Sequence, residues 1–274
     1  MTINCKGELI DLTSPKVMGI LNITPDSFYD GGIHSKEYDI LLHVEGMLNE
    51  GATFIDVGAY SSKPNASYVS EEEELERMVP IVTSIIKRFP DILLSIDTFR
   101  ARIAKQCVEI GAALINDISA GKLDNAMLPA IADLHVPYIM MHMRGTPQNM
   151  QTQTDYNNLT KDILFYFSER IAQARGLGIV DLIVDPGFGF AKTKEQNFEL
   201  LNNFELFKML ELPILAGVSR KSMIYKTLNN SPQEALNGTT VLNTIALRKG
   251  ANILRVHDVK EAVECIKLVE SLNL

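Results

Sequence analysis

Polar residues with hydrogen-bonding or ionic chemistry recur at the ends of short apolar runs: Asn22, Asp56, Asp97, Asn116 with Asp117, His142, Asp185, Ser219 with Arg220 and Lys221, and Arg255 with His257. One Asp or Asn after a strand is most often a helix cap or turn residue, and Asp97, Asp117 and Asp258 each admit that reading. Capping does not explain Lys221, Arg255 or His257, nor so many endings in one chain. Sorted by chemistry, the residues fall into two sets. Asp97, Asn116 and Asp185 are two carboxylates and an amide with no cation close by in sequence. Such groups read the donor-rich edge of a heterocycle, where a carboxylate accepts two parallel N–H bonds. Lys221, Arg255 and His257 suit an anion, and Arg255 and His257, being alternate residues, share a strand face. Asn22 offers a hard oxygen that suits Mg²⁺ held against phosphate oxygens. The expected site is a pocket with a heterocycle at its base and an anionic leaving group at its mouth.

These residues need elements that bring them to one place. The apolar runs are Val17–Ile23, Thr53–Val57, Ile92–Ile96, Ala113–Ile118, Pro137–Met141, Leu182–Val184, Ile214–Val218 and Ile253–Val256. They are short, rich in Ile, Val, Leu and Met, and do not alternate with polar residues, as expected of strands buried on both faces of a parallel sheet. Helical signals lie between them. Ser70–Glu73, Thr193–Gln196, Ser231–Glu234 and Asp258–Glu261 have the capping-box form, and the last opens a stripe at Val259, Ala262, Val263, Ile266 and Val269. Gly51, Gly111, Gly176 and Gly250 fall where helices should stop. Eight strand–helix repeats with right-handed crossovers predict a single-domain (β/α)8 TIM barrel over residues 1–274. Residues 1–15 read as an extended lead-in, a hairpin closing the bottom of the barrel. The strand ends then converge on one face, where barrels keep their catalytic groups and, after the seventh and eighth strands, a phosphate site. Three loops rich in Gly and Pro border it: Thr24–Gly32, Ala59–Ala66 and Asp185–Ala191. Such loops can close over a substrate and exclude water.

Bulk properties exclude several classes. The net charge of −8 disfavours a nucleic-acid surface, though a local cluster of cations can still hold a small anion. No apolar run approaches the roughly 18 residues of a membrane span, and the N-terminus lacks the pattern of a secretory signal. Cys5, Cys107 and Cys265 form no C-x-x-C pair and read as buried reduced thiols. A cytoplasmic enzyme is expected.

The motifs MGILNITPDSFYDGG (Met18–Gly32), GATFIDVGAYSSKPNA (Gly51–Ala66), SIDT (Ser95–Thr98), INDI (Ile115–Ile118), MHMRGTP (Met141–Pro147), DPGFGF (Asp185–Phe190), GVSRKSMI (Gly217–Ile224) and RVHD (Arg255–Asp258) resemble, in order and spacing, those of the dihydropteroate synthases. The resemblance covers essentially the whole chain. It implies condensation of 6-hydroxymethyl-7,8-dihydropterin diphosphate with p-aminobenzoate, releasing pyrophosphate, by a Mg²⁺-dependent homodimer sensitive to sulfonamides. It also implies roles. Asp97, Asn116, Asp185 and Lys221 would bind the pterin, with Met141 lining that pocket. Asn22, Arg255 and His257 would bind Mg²⁺ and pyrophosphate. Ser62, Lys63, Phe190 and Ser219 would contact p-aminobenzoate. Asp97, Asp185, Lys221, Arg255 and His257 would be the catalytic groups. The second loop departs from the family's usual G-E-S-T-R-P-G: Lys63 stands where Arg is usual, keeping charge without the flat guanidinium. Two alternatives stay open at this level, a pterin-binding corrinoid methyltransferase and an inactive pterin-binding paralogue.

Overall fold

The structure, a computed structural model, describes residues 1–23, 33–60 and 69–272. The chain opens with an antiparallel hairpin of β1 (Thr2–Cys5) and β2 (Glu8–Asp11). Eight parallel strands follow: β3 (Lys16–Asn22), β4 (Phe54–Gly58), β5 (Leu93–Asp97), β6 (Leu114–Asp117), β7 (Tyr138–Met141), β8 (Leu182–Asp185), β9 (Leu215–Ala216) and β10 (Ile253–Val256). Helices α1 (Ile33–Asn49), α2 (Glu71–Arg88), α3 (Ala101–Ile110), α4 (Met127–Leu134), α5 (Leu159–Gly176), α6 (Lys194–Asn202), α7 (Ser222–Leu228), α8 (Leu236–Arg248) and α9 (Val259–Ser271) alternate with them, except that α7 and α8 both follow β9. The strands pair in sequence order from β3 to β8, β10 pairs with β3 and with β9, and a parallel bridge between Val184 and Ile214 closes the ring. This is the expected (β/α)8 barrel.

The two faces of each strand have separate tasks. Outward residues such as Val17, Ile55, Val57, Leu94, Ile96, Ile115, Met140 and Val184 pack under the helices in one large core. Inward residues at the N-terminal ends (Met18, Phe54, Leu114, Ile139, Ile183, Leu215 and Ile253) fill the barrel, and Ile3, Cys5 and Leu12 of the hairpin region plug it from below. Because side chains alternate with a period of two, the next inward positions are Asp56, Ser95, Asn116, Met141, Asp185, Gly217 and Arg255, and β5 adds Asp97. The apolar floor thus gives way to a polar layer within one residue pair. The same alternation turns Asp117 and His142 outward, away from the pocket their positions in the sequence suggested. Asp117 accepts from the Ser119 and Gly121 amides and from the Tyr138 hydroxyl; His142 packs edge-on against Tyr166, with ring centroids 4.8 Å apart.

Most local signals act as read. Ser70 caps α2 by accepting from the Glu73 amide, with four glutamates in the first turn facing the helix's positive end. Thr193 and Gln196 form the capping box of α6. Ser231–Glu234 caps only a single 3₁₀ turn begun by Pro232. Asp258 does not cap α9: its carboxylate is gripped by Arg220, Nε at 2.9 Å and Nη2 at 2.5 Å. A two-pronged guanidinium outcompetes a backbone amide for the same oxygens. Gly176 is the last residue of α5, and the left-handed turn falls on Gly178. All three cysteines are buried free thiols. Among the described residues, no helix is long and apolar enough to cross a membrane.

Candidate active site

The floor of the pocket is an ion-paired cluster spread over four strands. Arg255 of β10 donates from Nε to Asp56 Oδ2 at 2.6 Å and from Nη2 to Asp97 Oδ2 at 2.8 Å. Asn116 of β6 donates from Nδ2 to the same Asp56 oxygen at 3.0 Å. Asp97 has a cation beside it in the fold that its place in the sequence does not reveal, because Arg255 arrives from the far end of the chain. Burial raises the Asp97 carboxyl to about 7; Arg255 opposes that shift, while Asp56, Glu74 and Asp117 reinforce it. Arg255 sits between two carboxylates and is held firmly protonated.

Asp185 ends β8 and is buried. Its Oδ1 accepts from the Gly187 amide at 2.8 Å. Burial raises its pKa, opposed first by Lys221 and then by that amide. Gly187 has φ +75, and a Cβ there would lie 2.2 Å from the His142 carbonyl oxygen, so the turn that aims an N–H at Asp185 tolerates only glycine. Lys221, immediately before α7, donates to the Phe188 carbonyl and lies 4.9 Å from the Phe190 ring centroid. Burial lowers its ammonium to about 8, opposed by Asp185. Its neighbour Arg220, at φ +53, turns the other way and is consumed by Asp258 and the Pro232 and Gln233 carbonyls. That reversal aims Lys221 inward.

Of the remaining sequence-selected residues, Met141, His257, Ser219 and Asn22 are among those described. Met141 is buried beside Ile118, Met143, Met150 and Ala191, with Phe190 packed on the group. His257, just past β10, is exposed; Ser219 lies within hydrogen-bond distance of its Nδ1 (3.0 Å) and accepts from its backbone N–H (3.2 Å). Ser219 is itself buried, and the partner the structure gives it is His257. Asn22 is exposed at the end of β3, paired in register with Gly58. Ser62 and Lys63, with most of their loop and the Thr24–Gly32 loop, lie outside the described residues.

Two residues given no role by the sequence belong to this neighbourhood. Asp56 was visible only as another strand-end carboxylate. Lys192 carried no signal, yet its buried ammonium donates to the Gly187 carbonyl at 2.9 Å and the Phe190 carbonyl at 3.0 Å, with His142 Nδ1 3.0 Å away. It ties down the Asp185–Phe190 loop from behind. Burial holds the pKa of both Lys192 and His142 well below their usual values.

The arrangement presents acceptors from Asp97, Asn116 and Asp185, a cationic wall of Arg255 and Lys221, and an aromatic ring at Phe190. The pterin binding enzyme family model matches residues 18–257. The dihydropteroate synthase of Escherichia coli strain K12 is 44% identical over 273 residues, covering 99% of this chain and 96% of that one. The crystal structure of the Yersinia pestis dihydropteroate synthase in a sulfonamide drug complex superposes with a TM-score of 0.93 at 44% identity, covering 100% and 99% of the two chains. The Xanthomonas albilineans enzyme in complex with 7,8-dihydropteroate superposes at 0.89 with 33% identity, again over 100% and 99%. The chain belongs to the dihydropteroate synthase family of pterin binding enzymes.

Proposed function

We propose that this chain condenses 6-hydroxymethyl-7,8-dihydropterin diphosphate with p-aminobenzoate to give 7,8-dihydropteroate and pyrophosphate, and that sulfonamides compete for the arylamine place. Full-length similarity to named dihydropteroate synthases supports the reaction. The observation that carries the assignment of residues is the acceptor-rich floor beside Arg255 and Lys221. Asp185, Asn116 and Asp97 take the donor edge of the pterin, and Met141 bounds the ring. The C–O bond of the methylene breaks with its electron pair going to the diphosphate oxygen. The positive charge left on the methylene and its electron-rich ring faces the Asp97 and Asp185 carboxylates. Among the described residues Arg255 Nη1 makes no hydrogen bond, so that arm is available to the departing anion; His257 and Lys221 are the other cationic groups assigned to it. The lone pair of the arylamine then forms the new C–N bond, and the nitrogen sheds its proton to solvent. Catalysis here is electrostatic stabilisation plus positioning, with no strong base required.

Asn22, exposed at the end of β3, fits a hard cation: one amide oxygen completing the shell of an ion held by substrate phosphates would match how Mg²⁺ is usually bound. When bound there, Mg²⁺ would neutralise charge on the leaving group. Ser62, Lys63, Phe190 and Ser219 are assigned to p-aminobenzoate. A homodimer is part of the proposal, supported by the exposed Val241 and Ile245, which lie one turn apart on α8. Pyrophosphate release measured with and without p-aminobenzoate and Mg²⁺ tests the reading. Release only with both organic substrates, stimulated by Mg²⁺, supports it. A corrinoid methyltransferase would ignore p-aminobenzoate, and a scaffold would release nothing.

A further inference from the structure

Asp56 lies one layer beneath the residues assigned to the pterin. Its carboxyl is fully buried. One oxygen, Oδ2, accepts from both Asn116 Nδ2 and Arg255 Nε, at 3.0 and 2.6 Å; the other, Oδ1, is buried with no partner among the described residues. The consequence for Asn116 is directional. A primary amide carries an acceptor on one arm and donors on the other, and a flip exchanges them. An ion-paired carboxylate can only accept. Asp56 therefore holds the Asn116 nitrogen downward, and the Asn116 oxygen, which accepts from no described residue, is left as the free arm of the amide. The same Asp56 oxygen fixes the inner edge of Arg255, whose outer edge meets Asp97.

We propose that Asp56 is a specificity-determining positioning residue. It presents Asn116 to the pocket as an acceptor and seats Arg255 between two carboxylates, so that the ring edge selected carries N–H donors. The inference rests on the pterin reading of the pocket.

Calorimetric titration with 6-hydroxymethylpterin, which has no diphosphate, isolates the ring contacts. Asp56→Leu fills the space without an acceptor and should weaken binding roughly tenfold or more, the scale of one misdirected buried polar group. Asp56→Asn keeps one oxygen able to face Asn116 and Arg255, and should stay within about threefold of wild type. In an Asn116→Ala background, Asp56→Leu should cost much less than in the wild type, because no amide remains to be oriented and coupled residues are non-additive. Wild-type affinity in Asp56→Leu, or equal losses in both backgrounds, overturns the inference while leaving the pterin reading intact. Failure of the wild type to bind the pterin would overturn that reading and this inference with it. Should Asp56→Leu not fold, the unsubstituted protein gives the answer by NMR. The Asn116 side-chain NH₂ should exchange slowly and keep its hydrogen bond to Asp56 when pterin is added. Fast exchange, or a flip on binding, refutes the proposal.

Discussion

Removing Arg255 should make the protein's stability newly sensitive to alkaline pH. Arg255→Ala leaves Asp56 and Asp97 facing each other without the guanidinium now 2.6 and 2.8 Å from them. Breaking a buried ion pair from one side costs about 3–5 kcal/mol, tolerable within the roughly 5–15 kcal/mol of a folded domain. The pH dependence is the sharper test. In the wild type the Asp97 carboxyl is raised from 3.8 to about 7. Between those values the native state holds more protons than the unfolded chain, so this group's contribution to stability falls as pH rises through that window and is flat above it. Loss of the cation raises the Asp97 pKa further, so in Arg255→Ala the fall continues beyond 7. The difference between the two proteins should be constant below pH 7. It should grow above pH 7 by at most about 1.4 kcal/mol per unit, reaching roughly 2 kcal/mol extra by pH 8.5. Urea unfolding at pH 6.5, 7.5 and 8.5 and matched ionic strength measures it. Adding Asp97→Asn to Arg255→Ala should abolish the extra slope. A penalty that does not change with pH would show that Arg255 does not hold Asp97 in its charged form.

Further outcomes follow from the same geometry. The kcat/KM of the condensation should rise as Asp97 ionises near pH 7 and fall as Lys221 loses its proton near pH 8; because kcat/KM reports the free enzyme, Asp97→Asn should remove the lower limb specifically. Gly187→Ala places a Cβ 2.2 Å from the His142 carbonyl oxygen at a φ of +75, so it should lower the melting temperature and weaken pterin binding together, and a fully stable, active variant would contradict the turn geometry. Asp185→Asn puts a donor against the ring's donors and should cost about 2–5 kcal/mol in pterin-diphosphate affinity, with unchanged affinity by calorimetry removing Asp185 from the ring edge.

The barrel was legible because its strands are buried on both faces. Composition and length of the apolar runs then suffice, and seven of the runs overlap their strands closely. The seventh is the informative exception. Ile214–Val218 reads as one run, but only Leu215–Ala216 form the strand and Ile214 contributes a single bridge. Past it the chain turns at Val218–Lys221, closed by the Lys221 amide on the Val218 carbonyl, with Arg220 left-handed at φ +53. Asp258 shows the opposite limit: its spacing to Glu261 fits a capping box, yet a guanidinium 38 residues away takes the carboxylate.

What the sequence could not show is which strand-end residues share a face and which ion pairs form across the barrel. Asp56 and Arg255 are 199 residues apart, and no local pattern links them. Period-two alternation, once registered against the apolar floor of Phe54, Leu114, Ile183 and Ile253, sorts the candidates: Asp56, Asn116, Asp185 and Arg255 point in, and Asp117 and His142 point out. The floor therefore serves the chemistry as well as stability. It fixes the register that decides which polar groups meet, and their meeting creates the electrostatics. Burial in that layer raises the Asp97 carboxyl to about 7, with Arg255 opposing the shift and Asp56 adding to it, whereas the same residue read in isolation is an ordinary carboxylate. Asp56 is fully buried, and among the described residues its hydrogen bonds go to Asn116 and Arg255, the two groups through which it acts on the site.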